Sequence, residues 1–178
     1  MIAFLRFIGL MNAALWLGAV VFHSIIVGPA CASPEMEQLL GAKNFPFFSG
    51  AFADVVTSRY FLFLGYTSSI ALLHLLAEWG YMGRPTRKIS LALLAGLFGL
   101  VLLGGAGLEP HLKQLHARRY APNTPLAERE AAARSFRLGQ AGLLALNLAM
   151  IGGLVVYVWR VANPTDAPRF ISSVKFRG

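Results

Sequence analysis

The stretch ISLALLAGLFGLVLLGGAGLEPHLKQLHARRY, Ile89 to Tyr120, decides the fold. From Ile89 to Leu108 it carries no charge; Glu109-Pro110 then opens a polar run that holds His111 and His116. About twenty apolar residues rising 1.5 Å each cross the ~30 Å hydrocarbon core of a bilayer. A helix on the surface of a soluble protein needs a polar face, and this segment offers none. Three other segments share the property: Phe4 to Val27, Tyr60 to Trp79 and Leu138 to Trp159.

Composition supports the same reading. Of the 178 residues, 56% are hydrophobic and only 13% are charged, with a mean hydropathy of +0.59. Soluble domains carry roughly 25% charged residues. A soluble fold of this size could not hide so much apolar surface, so much of it must face lipid. The formal net charge of +8 would point to nucleic acid in a soluble protein. Here no basic stretch forms a folded surface of its own, and the charge reads as flanks for anionic headgroups; nucleic acid is not expected as a partner. The single cysteine, Cys31, excludes an internal disulfide and any CxxC metal knuckle.

The expected fold is an all-α integral membrane protein, a bundle of four transmembrane helices with spans of about 4–27, 60–79, 89–108 and 138–159. Residues 1–161 form the membrane domain and 162–178 a basic C-terminal tail. The first span is read as retained rather than cleaved, because its apolar run exceeds the 7–15 residues of a signal-peptide core. Trp79 with Tyr81, and Tyr157 with Trp159, suit the bilayer interface. Lysines and arginines divide evenly between the two sides. The short "GRPTRK" turn then argues for cytoplasmic termini, in what is read as a bacterial inner membrane.

Two connections are long. Between Cys31 and Arg59, Pro46 argues against one continuous helix. The expectation is two short interfacial helices, with Phe45, Phe47, Phe48 and Phe52 dipping toward lipid or capping the bundle. After Glu109 the third helix is expected to run on to about Tyr120 and break at "APNTP". Thr124 as N-cap and Pro125 at the first helical position would then restart it, so that helices three and four project as a hairpin.

Helices in lipid associate through small residues and polar contacts. Ala141, Ala145, Ala149 and Gly153 form one small face on the fourth helix, and the third is rich in glycine. Asn12, Trp16, Ala19 and His23 share a face of the first helix. Tyr60, Thr67, His74 and Glu78 share one on the second, with His74 and Glu78 spaced to pair. Gln140 and Asn147 share one on the fourth. Ionisable groups at bilayer depth are costly, so these faces are expected to point inward. Rise per residue puts His23, Glu109 and Gln140 at one level near one end of the bundle, with His111 and His116 just beyond.

"FPFF" after the first span, "LEP" closing the third and "SFRLGQAGLLALNL" opening the fourth resemble a family of four-span membrane proteins of unknown function. The family includes the human cisplatin-resistance-associated transmembrane protein. The resemblance covers about residues 10 to 158. In that family the fourth span tends to open with Phe, then His four residues on, then Asn; the matching positions here are Phe136, Gln140 and Asn147. The resemblance implies a helical membrane protein loosely linked to resistance to metal-containing drugs.

Three function classes follow. The sequence carries no phosphate loop, HExxH or well-spaced Ser-His-Asp set, so an enzyme is not expected. His23, Glu109, His111 and His116 form a candidate ligand set for a divalent transition metal. His23 or His74 could each serve as an axial ligand to a haem or chlorin, although they lie at opposite levels. Those readings, and an efflux role, are the alternatives to a non-catalytic accessory subunit. Such a subunit would pack against other membrane subunits, or against its own copies, in a larger assembly.

Overall fold

The structure, a computed structural model, describes residues 2–82 and 88–163. The described residues are helical apart from Asn163 and short connections at 32–33, 41–44 and 121–125, and contain no strand. The elements are α1 (Ile2–Phe22), α2 (Gly28–Cys31), α3 (Pro34–Leu40), α4 (Phe45–Met82), α5 (Lys88–Leu102), α6 (Glu109–Tyr120) and α7 (Leu126–Ala162). A π-helical turn, His23–Val27, joins α1 to α2, and a second, Leu103–Leu108, joins α5 to α6. Four helical segments are long and apolar enough to cross a membrane: Phe7–Cys31, Phe45–Gly80, Lys88–Tyr120 and Leu126–Ala162.

The second segment begins far before Tyr60. Pro46 does not break it, because Pro46 is the second residue of α4, in the first turn, where no intrahelical donor is required. One short helix therefore occupies the first connection instead of two. That helix, α3, is set by its ends. Ser33 accepts a hydrogen bond from the Met36 amide, Pro34 takes the first turn, and Gly41 closes it at φ +74°. Its Glu35 carboxylate accepts hydrogen bonds from its own amide and the Ser33 hydroxyl, and is held below the usual carboxylate range. Any stability this gives is present at neutral pH and lost as pH falls through the lowered value.

At 1.5 Å per residue α4 is ~57 Å long and α7 ~55 Å, well beyond a ~30 Å hydrocarbon core. The α5–α6 segment does run on to Tyr120. It breaks at Ala121, as expected, but α7 restarts at Leu126 with Pro125 as N-cap and no side-chain cap, one residue later than anticipated. Arg129 takes over the satisfaction of the connection: its Nη2 donates to the Ala121 and Pro122 carbonyls, each at 2.9 Å.

Two cores follow from this geometry. The long one, among α1, α4, α5 and α7, holds Trp16, Leu64, Leu94, Met150 and Leu154 with no exposed surface. A smaller one, Leu112, Leu115, Ala132 and Phe136, joins α6 to the start of α7. Leucines and valines such as Leu103, Leu148 and Val155 face outward, as lipid requires. On α7 only Gly153 of the small face is packed, with Leu97 in the place of a Cβ; Ala141, Ala145 and Ala149 lie on the surface. The seam is not an internal one, because α7 turns its larger residues, Leu146, Met150 and Leu154, toward the core. Most of the "GRPTRK" turn, and the tail after Asn163, lie outside the described residues.

Close approach between α4 and the second π-turn depends on Gly104. A Cβ there would fall 2.2 Å from the Phe61 ring, whereas one on Gly99 would meet open space. Gly104→Leu should lower stability by about 1–3 kcal/mol through overpacking, and Gly99→Leu should be tolerated. Thermal unfolding in detergent, with Phe61→Ala as the rescuing second change, measures the difference.

Candidate functional site

Both π-turns end at a proline, and both do so beside the same cavity. In the first, the Gly28 amide donates to the His23 carbonyl; in the second, the Glu109 amide donates to the Gly104 carbonyl. Each bond spans five residues, and each donor immediately precedes a proline, Pro29 or Pro110. A proline ring would clash with the carbonyl four residues back in a regular helix, and the wider turn relieves that clash.

The cavity measures about 290 Å³ and lies among α1–α2, α4, α6 and α7. Its polar wall is made by His23, Asp54, Thr57, Glu109, Gln140 and Asn147. Thus the three residues that simple rise arithmetic places at one level, His23, Glu109 and Gln140, do line one space. Asn147, seven residues beyond Gln140, joins them.

The wall is held from behind. The Tyr60 hydroxyl donates to Asn147 Oδ1 at 2.9 Å, and the Tyr60 ring stacks on the His23 imidazole, with centroids 4.0 Å apart and planes 14° from parallel. His23 is 7% exposed and its Nδ1 has no hydrogen-bond partner; Asn147 is 2% exposed. Deeper in the bundle, Asn12 Nδ2 donates to the Thr67 carbonyl at 2.9 Å and ties α1 to α4. His74 packs its ring against Gly9 of α1, far from the cavity. The Ser49 hydroxyl donates to the Cys31 carbonyl and closes the cavity on the α2 side.

The charges are arranged unevenly. Glu109 Oε1 lies 2.5 Å from Lys113 Nζ, which also reaches the Ser58 hydroxyl at 3.3 Å. Asp54 Oδ2 lies 3.4 Å from His116 Nδ1. His116 is buried between the Phe47 ring, 5.7 Å away and nearly parallel, and the backbone of Gly50, where no Cβ could fit. Two carboxylates therefore line the cavity, and among the described residues no Lys or Arg lines it.

The four residues anticipated as metal ligands are not brought together. His111 is exposed, and His116 faces Asp54 and Phe47 rather than His23. Spacing explains this, since residues five apart on a helix do not share a face. Among the described residues no three His, Cys, Asp or Glu side chains converge as a metal site would need. Asp54 is the cavity residue that sequence reasoning misses. Because α4 runs unbroken from Phe45, Gly50, Asp54, Thr57 and Phe61 lie on one helical face; with the span taken to begin at Tyr60, the first three are not read together with Phe61.

Tyr60→Phe should cost about 0.6–1.7 kcal/mol, the range of interhelical hydrogen bonds in membranes, and should cost much less once Asn147 is already Val. Unfolding midpoints in mixed micelles for the two single variants and the double variant give that coupling.

No curated protein and no solved structure matches the chain. Residues 11–121, from α1 to the end of α6, match a family profile described as a domain of unknown function, DUF4149. The matched region holds His23, Asp54 and Glu109 and excludes Gln140 and Asn147. With more than half of its length covered, the chain belongs to this family of uncharacterised domains.

Proposed function

We propose that this is a non-catalytic membrane protein that holds a small cation, of the size of a short primary amine, in the cavity. One observation carries the reading. In a chain of formal net charge +8, the cavity is lined by two carboxylates and, among the described residues, by no Lys or Arg. Lys113 pairs with Glu109, whereas Asp54 has His116 as its direct partner at 3.4 Å and feels Lys113 only at longer range, so Asp54 is the carboxylate left open to a ligand. The volume sits at the lower edge of the ~300–1,000 Å³ range of small-molecule pockets.

A second reading, an accessory subunit in a larger membrane assembly or a self-associating bundle, is favoured by the surface position of Ala141, Ala145 and Ala149. Four-residue spacing of small side chains lets another helix approach closely. The two readings are compatible, since this face is not part of the cavity wall. An efflux role, suggested by the resemblance to the cisplatin-resistance-associated protein, would use the same cavity as its binding site.

Butylamine should bind the purified protein in lipid nanodiscs, observed by ligand-detected NMR, and acetate should not. Asp54→Asn should weaken butylamine about 10–100-fold, the worth of a charge-assisted hydrogen bond. Glu109→Gln should weaken it less, because Lys113 already occupies that carboxylate. Equal binding of acetate, or no effect of Asp54→Asn, would sink the reading.

A further inference from the structure

A second concavity adjoins the first. Between α4 and the α5–α6 segment runs an apolar groove of about 450 Å³, flanked by Phe61, Leu62, Tyr66 and Phe98 and floored by Gly65 and Ala106. It extends from Ser58 to Ser69 along α4, eleven residues or ~16 Å. Both flanking helices belong to segments long and apolar enough to cross a membrane, and the residues that line the groove are mostly apolar. Glu109 lines both spaces: one carboxylate forms part of the cavity wall and the end of the groove.

That shared residue has a chemical consequence. The cavity has room for a headgroup but not for a large molecule. The groove has the length and apolar lining of a single hydrocarbon chain. Any molecule occupying both must place its polar end past Glu109 and its chain between α4 and α5. The wall selects a cationic end, and an anionic phosphate or carboxylate head would meet Asp54 and Glu109 at close range. We propose that the ligand is a single-chain amphiphilic amine drawn laterally from the bilayer, with its ammonium on Asp54 and its tail in the α4–α5 groove. His23, nine-tenths buried with Nδ1 unpartnered, is a second polar group left for that head. Glu109 keeps its Lys113 partner and acts as the threshold between the two spaces. The inference rests on the cavity reading above and adds the route and the ligand class.

The test uses the protein in proteoliposomes with a hexadecylamine that carries a mid-chain diazirine. Irradiation should place adducts on residues 58–69 and 98–109, removed by excess unlabelled hexadecylamine. A matched hexadecanoic acid probe should label these residues at least tenfold less. Gly65→Leu adds a side chain where a Cβ meets open space, and it should cut groove adducts severalfold while changing butylamine binding less than twofold. Ala106→Leu should do the same and guards against a folding defect in either variant. Equal labelling by the amine and acid probes, adducts spread over outer faces such as that of α7, or labelling unchanged in both groove variants would each overturn the lateral route. Failure of butylamine to bind the unaltered protein would instead bring down the cavity reading and this inference with it.

Discussion

A helix that crosses hydrocarbon must satisfy its backbone within itself, and this chain places a proline in two such helices. Pro29 and Pro110 each remove a donor and would each drive a ring into a preceding carbonyl. Both problems are solved in the same way, by a π-helical turn whose last amide reaches back five residues. An extra residue per turn rotates everything that follows. Glu109 follows its turn and His23 opens the other, and the two side chains, on helices far apart in sequence, line one cavity. Gly104 serves the second turn twice: its carbonyl accepts the long bond, and its missing side chain admits Phe61 of α4. The turn, the helix contact and the cavity edge are therefore one local structure.

Charge is distributed against the average of the chain. Sixteen basic residues against eight acidic ones would make an arbitrary cavity basic. Yet the wall has Asp54 and Glu109, and the ammonium of Lys113, whose side chain is 43% exposed, sits between Glu109 and the Ser58 hydroxyl without lining the cavity. Holding carboxylates at bilayer depth is costly unless each has a partner. Lys113 and His116 supply those partners from α6, one turn apart on the same helix. Tyr60 does the equivalent for the neutral side: it bonds Asn147 and covers the face of His23. The site is thus supported by α4 and α6, whose extra length carries them past the hydrocarbon.

What could be read in the sequence was what hydrophobicity writes directly. The four spans, the inward face of Asn12, Trp16 and His23, and the common level of His23, Glu109 and Gln140 all follow from apolar run length and rise per residue. Pro46 rightly argued against one continuous helix between Cys31 and Arg59, but nothing local to "FPFFSGAFAD" states that the helix it opens runs on into the second span. Ending the connection at Arg59 also left Asp54 outside the bundle faces that were compared. The π-turns were invisible to periodicity, since five or six residues of wider winding inside an apolar run leave the pattern apolar. Their trace is the pair "GP" and "EP" inside otherwise helical stretches. The small face of α7 was legible as a face, but which way it turned was decided by larger residues, Met150 and Leu154, competing for the core.

The position of Gln140 narrows the chemistry further. Phe136, Gln140 and Asn147 all line the cavity. Glutamine is a hydrogen-bonding group that does not titrate and is a poor metal ligand. With it in place, α7 contributes polarity without charge, and the charge of the wall is set by α4 and α6 alone. That division follows the family match, which ends at residue 121 and so contains the acidic half of the wall. In the proposed reading, the sign of the ligand is selected by one pair of helices and its hydrogen-bonding shape by another. The two properties can then change independently, because Gln140 and Asn147 share no hydrogen bond with Asp54 or Glu109 among the described residues.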